Sequence, residues 1–122
     1  MPLASSIRIK VTRTASGAGL QVARTEPVPE GEQWVVERHT YEGSAATSGG
    51  NTRARTYIDG RGYNLYLKEQ DGPSAGALYA DADRVILSPS ERLAVEWDEA
   101  ASGNVLTLHV VGYRIYDPGQ TI

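Results

Sequence analysis

Hydrophobic and polar residues alternate with a period of two along most of this chain, and no stretch carries the longer period of an amphipathic helix. The clearest signal lies in residues 84–116: Val85-Ile86-Leu87, a Ser88-Pro89-Ser90 turn, the run Leu93-Ala94-Val95-Glu96-Trp97, a polar glycine loop, then Val105-Leu106-Thr107-Leu108-His109-Val110-Val111. Alternation puts Leu93, Val95 and Trp97 on one face and Ala94, Glu96 and Asp98 on the other, the pattern of a half-buried antiparallel strand. Nearer the start, Ile7, Ile9 and Val11 face one way, with Arg8, Lys10 and Thr12 opposite. Residues 20–24 alternate again after a small-residue turn, which predicts a hairpin or a crossover between sheets.

Pro27 and Pro29 lack ladder donors and restrict the residues before them, so residues 26–32 read as an extended connection. Residues 33–41 read as a central strand in which Trp34 and Val36 share one parity while Val35, His39 and Tyr41 share the other. The small side chains of residues 43–51 predict an exposed connection. Residues 53–58 and 63–68 then form a hairpin across Asp59-Gly60-Arg61-Gly62, whose Asp-Gly pair favours positive φ. Residues 75–82 are read either as loop or as a short helical turn. About eight strands with regularly spaced turns predict an all-β fold, a single antiparallel β-sandwich of jelly-roll-like type. One domain spans residues 1–122, with residues 1–13 an N-terminal arm or edge strand.

The last strand departs from simple alternation. Even positions give Leu106, Leu108, Val110 and Gly112, and odd positions give Val105, Val111, Tyr113 and Ile115, so both faces become apolar toward its end. A sandwich strand ordinarily leaves one face to solvent. Val111, Tyr113 and Ile115 are therefore the predicted interface of a homo-oligomer, unless the N-terminal arm or a long loop covers them.

Composition narrows the class. At 122 residues the chain is long enough to bury about two-thirds of its unfolded surface. With no cysteine it depends on core packing and strand pairing rather than disulfides. No apolar run approaches a membrane span, and no secretory leader opens the chain, so a soluble protein without a membrane partner is expected. A net charge of -3 argues against direct nucleic-acid binding. The charge is uneven, however: Arg8, Lys10 and Arg13 lie near the start, and Asp81, Asp83, Glu91, Glu96, Asp98 and Glu99 toward the end. The three cations are candidates for contact with an acidic partner.

No catalytic set emerges. His39 and His109, the only histidines, sit in separate predicted strands, and Ser88 or Ser90 lacks the elbow that would expose a nucleophile. Two histidines fall short of a zinc site, and Asp81-Ala82-Asp83 and Asp98-Glu99 lack the spacing of a calcium loop. Ser16-Gly17-Ala18-Gly19 leads into a strand rather than a helix, so it reads as a turn and not a phosphate loop. No enzyme activity, metal or cofactor is expected. Seven tyrosines and two tryptophans without phenylalanine suit interfaces and sugar-stacking platforms. Tyr57, Tyr63, Tyr66 and Tyr79 gather around the middle hairpin and are the candidate ligand surface, with a glycan as the alternative partner.

Pro29-Glu30-Gly31-Glu32-Gln33-Trp34-Val35-Val36-Glu37-Arg38, followed by Leu87-Ser88-Pro89-Ser90-Glu91-Arg92-Leu93-Ala94-Val95-Glu96-Trp97 and Ala101-Ser102-Gly103-Asn104, resembles the small β-sandwich accessory virion proteins of tailed bacteriophages. The resemblance covers most of the chain from Pro27 onward. It implies a non-enzymatic structural role in the virion, assembled in the host cytoplasm. The protein would decorate or stabilise the capsid exterior against the major capsid protein or another virion protein. It equally allows a place in the tail or its fibres, and with the tyrosines as sugar-stacking rings the alternative is a minor tail or fibre protein carrying a carbohydrate-binding module for host recognition.

Overall fold

A computed structural model of the chain describes residues 3–16, 20–43, 53–60, 62–71, 78–98 and 103–116. Nine strands follow in order: β1 Leu3–Thr14, β2 Leu20–Arg24, β3 Glu32–Gly43, β4 Arg53–Gly60, β5 Tyr63–Asp71, β6 Tyr79–Asp81, β7 Val85–Leu87, β8 Arg92–Asp98 and β9 Val105–Tyr116. Sheet A has the order β1-β9-β3-β6, with β7 also paired to β3, and sheet B the order β2-β8-β4-β5. All pairings are antiparallel. The pairs nest: β1 with β9, β2 with β8, β3 with β6 and β7, β4 with β5. A ribbon of nested antiparallel pairs wound into two facing sheets is a jelly roll. The β6–β7 pair acts as one interrupted strand, so nine segments fill eight places.

Two elements are decided by pairing rather than by the sequence pattern. Leu3–Thr14 pairs edgewise with β9 from Leu3 opposite Tyr116 to Thr14 opposite Val105. It is therefore an edge strand lying beside β9, and it does not cover the outer face of that strand. Tyr79–Asp81, within the segment read as loop or helical turn, is a strand formed by pairing with His39, Thr40 and Tyr41. Residues 44–51 of the small-residue connection, residues 75–77, the Gly17-Ala18-Gly19 turn and Glu99 lie outside the described residues. The chain passes from β1 to β2 by changing sheets, which settles the hairpin-or-crossover choice in favour of the crossover.

The core lies between the sheets. From sheet A come Trp34, Val36 and Tyr41 of β3, Val85 and Leu87, and Leu106, Leu108 and Val110 of β9; from sheet B come Ala54, Ile58, Leu93, Val95 and Trp97. Ile7, Ile9 and Val11 pack against it from β1, as their alternation predicts. Each large apolar side chain withdrawn from water contributes about 1.5–3 kcal/mol. In β8 all five residues from Leu93 to Trp97 are buried, including the outward Ala94 and Glu96. The strand lies second in its sheet, with Tyr57 and Arg24 across from Ala94 and Arg55 and Val22 across from Glu96, so long neighbours roof its solvent side.

The register of β3 shifts between Val36 and Arg38: Val36 lies opposite Gly112, and Arg38 opposite Val111. Glu37 is thus an extra residue, a β-bulge, and it reverses the parity of everything beyond it. His39 and Tyr41 consequently point into the core with Trp34 and Val36, whereas uninterrupted alternation would have set them on the opposite face with Val35. The 82–84 break between β6 and β7 lies across from this bulge, since β7 pairs with residues 34–36 and β6 with residues 39–41.

Turn chemistry also differs in detail. Among the described residues of the β4–β5 connection, Gly62 has positive φ, at +80°, and Gly60 of the Asp-Gly pair does not. A Cβ at Gly60 would overlap the exposed Tyr63 ring, which would have to swing aside. Pro27–Pro29 is tacked to the β7–β8 turn: Ser90 N donates to Val28 O at 2.8 Å and Val28 N to Glu91 O at 3.0 Å.

At Gly112 an added Cβ would overlap the Val35 carbonyl oxygen at the start of the bulge. Gly112→Ala should therefore push β3 from β9 and lower unfolding stability by about 2 kcal/mol, as overpacking does. Urea denaturation followed by tryptophan fluorescence checks this; an unchanged midpoint would contradict the close approach of the two backbones.

Candidate functional site

The outer face of sheet A brings together most of the residues singled out for contact. On β9, Val111 is 46% exposed and Tyr113 and Ile115 are half-buried. Across the sheet, Tyr113 lies opposite Val35, which lies opposite Ile86 on β7. Ile86 is 50% exposed, and Val35, although it faces outward, is only 4% exposed. Ile115 stands between Ala4 and Gln33, and Val111 between Arg8 and Arg38. The result is a band of apolar side chains running across β7, β3 and β9. Arg8 and Arg38 edge it, and Lys10 follows beside His109.

Arg13 does not belong to this band. It shares parity with Ile7, Ile9 and Val11, and its Nε donates to Gln21 Oε1 at 3.1 Å while Nη1 donates to Val22 O at 3.3 Å. It staples the edge of sheet A to that of sheet B, so grouping it with Arg8 and Lys10 as one partner surface is corrected. The sequence reading also missed Val35 and Ile86. The inward parity of Val85 and Leu87 was the signal that Ile86 must face out.

The four tyrosines do not form one surface. Tyr57 and Tyr66 meet on the outer face of sheet B, with ring centroids 5.2 Å apart. Arg55 lies 5.7 Å over the Tyr66 ring and donates from Nε to Glu69 at 2.6 Å. Tyr66, Leu67, Lys68, Glu69 and Arg55 line a shallow depression of about 350 Å³. Tyr63 stands apart at the hairpin, where its hydroxyl hydrogen-bonds Glu91 Oε2; that bond raises its pKa above the usual value. The other oxygen of Glu91 accepts the Ser88 N–H at 2.7 Å, so Tyr63 anchors the hairpin to the β7–β8 turn. Tyr79 belongs to sheet A and stacks on buried Tyr41 at 5.7 Å.

The histidines are on adjacent strands but opposite faces. Thr40 lies opposite His109, and His39 opposite Val110. His109 Nε2 lies 3.5 Å from Glu42 Oε1 on the outer face, whereas His39 is completely buried. Ser88 follows Leu87, whose partner Trp34 lies four ladder steps from His39 once the bulge is discounted, a separation of about 13 Å at strand rise. Of the assemblies weighed from sequence, Ser88 or Ser90 with either histidine, the Ser88–His39 one is not formed. Among the described residues, no three His, Cys, Asp or Glu side chains gather to hold a metal ion.

Inside the sandwich, His39 Nδ1 and Nε2, Tyr41 Oη, Thr56 Oγ1 and Trp97 Nε1 are buried without hydrogen-bond partners. Burial, reinforced by Tyr79 and Asp81, pushes the Tyr41 hydroxyl up to about 12.

No protein-family model matches the chain, and the search of curated proteins found no match. Among solved structures, one described as "CBM4 structure and function", a carbohydrate-binding module, aligns at 14% identity and a TM-score of 0.38 over 87% of this chain and 82% of its own. An aminopeptidase from a marine sediment archaeon, Thaumarchaeota archaeon, aligns at 12% identity and a TM-score of 0.40 over 96% of this chain but only 34% of its own length. Likenesses this distant carry no argument about binding or catalysis.

Tyr41→Phe should remove an unsatisfied buried hydroxyl and stabilise the fold by about 1 kcal/mol. Because the folded pKa lies above the unfolded value of 10.0, the stability linked to Tyr41 ionisation is intact below pH 10 and lost as pH rises through about 12. The variant should lack that alkaline loss. Urea midpoints from pH 8 to pH 12 provide the comparison, and parallel curves for the two proteins would refute it.

Proposed function

We propose that this chain is a non-enzymatic structural protein of a tailed-phage virion that decorates or stabilises the capsid exterior by protein–protein contact. The observation that carries the binding mode is the apolar band of Ile86, Val35, Tyr113, Val111 and Ile115 with cations at its margin. Apolar side chains held at fixed spacing on a rigid sheet supply desolvation energy, and the adjoining Arg8, Lys10 and Arg38 select a partner surface that carries carboxylates. Such a surface is suited to the major capsid protein or a neighbouring virion protein, and to a second copy of this chain. The phage assignment itself rests on the resemblance in residues 29–38, 87–97 and 101–104.

The second reading, a carbohydrate-binding module of a minor tail or fibre protein, draws on a different face. Tyr66 is 50% exposed beside the depression on sheet B, and an aromatic ring flanked by Arg55 and Glu69 suits a sugar ring with its hydroxyls. In this reading Tyr66 takes the stacking role, since Tyr63 is committed to Glu91 and Tyr79 to the core.

Val111→Glu combined with Tyr113→Glu should dissociate a homo-oligomer to protomers in sedimentation velocity and reduce binding to purified capsids at least tenfold, with the circular dichroism spectrum unchanged. Unchanged mass and capsid binding would overturn the assembly reading. A glycan array hit lost in Tyr66→Ala and retained in the Val111 and Tyr113 variant would instead establish the carbohydrate reading.

A further inference from the structure

Beneath β6 the core holds polar groups that the contact surfaces do not use. His39 has no exposed surface, and neither ring nitrogen has a hydrogen-bond partner. Asp81, also buried, brings Oδ2 to 3.8 Å from His39 Nε2, which is beyond hydrogen-bond length. The other oxygen, Oδ1, accepts the Asp83 N–H at 2.9 Å. Asp81, opposite His39 on β6, and Lys68 of β5 act on the charge of the imidazole; Tyr41 and Tyr79 form the next pair along β3 and β6, and Val110, its neighbour on β9, is apolar. Thr56 and Trp97 add further unpartnered polar atoms from β4 and β8 to the same core.

β6 itself is short. It has three residues, lies at the edge of sheet A and, among the described residues, takes its strand pairing from residues 39–41 of β3. The break at residues 82–84, opposite the β3 bulge, separates it from β7, so β6 can detach while β7 stays paired. An imidazolium at His39 would sit in a buried site with neither ring nitrogen hydrogen-bonded, the Asp81 carboxylate 3.8 Å away opposing its burial cost and the charge of Lys68 adding to it. Hydration on opening would relieve that cost.

We propose that His39 is an acid-sensitive latch for the β6 edge, and that its protonation releases residues 79–81 from β3 and opens this end of the sandwich to water. Burial, the largest influence, lowers the His39 pKa, with Lys68 acting in the same sense and Asp81 against it. The sign follows: a depressed folded pKa gives closed-state stability that is present above the unfolded value of 6.5 and lost as pH falls below it. One proton taken up on opening sets the limit at about a tenfold rise in the opening constant per pH unit.

Amide hydrogen exchange read by NMR between pH 7.5 and pH 5, corrected for intrinsic rates, tests the latch. The opening constant at residues 79–81 should be flat near neutrality and climb up to about tenfold per unit below pH 6.5, while β8 and β9 amides stay protected. In His39→Gln the climb should vanish. Flat protection at residues 79–81 in the wild type, an equal climb in His39→Gln, or simultaneous loss at β8 and β9 would each overturn the proposal. Should His39→Gln fail to fold, the wild-type His39 ring resonances decide. Titration in step with exposure of residues 79–81 supports the latch, and free titration at 6.5 with those amides still protected overturns it.

Discussion

Two backbones that approach as closely as β3 and β9 do at Val35 and Gly112 leave no room for a side chain between them, and the rest of the jelly roll is arranged around that contact. β9 runs between β1 and β3 for its full length, and β3 meets it with one residue too many. The surplus is absorbed at Glu37, where an exposed carboxylate can bulge into solvent at little cost. Beyond that point β3 continues with its faces exchanged. A single extra residue therefore decides which side chains enter the core: Trp34 and Val36 before it, His39 and Tyr41 after it.

Much of this fold was legible in the chain because alternation reports burial directly. The strands at residues 7–12, 20–24, 53–58, 63–68, 93–97 and 105–111 all lie within strands of the structure, and the sandwich class follows from their number and spacing. What was not legible depends on pairing across long separations. β1 extends back to Leu3 although Leu3-Ala4-Ser5-Ser6 has no alternation, because β9 offers a partner down to Tyr116. β6 is too short to show any period and exists through its pairing with His39, Thr40 and Tyr41. A bulge leaves no local mark either, so parity counted across Glu37 put His39 and Tyr41 on the wrong face.

The same distinction governs the candidate surfaces. Val111, Tyr113 and Ile115 could be read as outward because no bulge interrupts β9 opposite β1, so counting by two holds to its end, and Arg8 and Lys10 because the same is true of β1. That both sets share one face needed the register, which sets Arg8 against Val111. Arg13 shows the converse, since proximity in sequence suggested a trio of cations whereas parity turns its guanidinium toward β2. Tyrosines near one hairpin in sequence were likewise distributed among a turn, an outer face and the inter-sheet core.

The two sheets are also unequal in what they offer to a partner. On sheet B the outward charges largely answer one another: Arg24 with Asp59 at 3.0 Å, Arg55 with Glu69 at 2.6 Å, and Arg53 between Glu69 and Asp98 at 3.9 Å from each. A ligand there has to compete with pairs already formed, so shape and ring stacking must supply its affinity. On sheet A the outward positions from Ile86 through Val35 to Tyr113 are apolar, and covering them displaces water without breaking an existing ion pair among them. Association through sheet A would thus start with the smaller desolvation cost, which is the physical ground of the proposed assembly role.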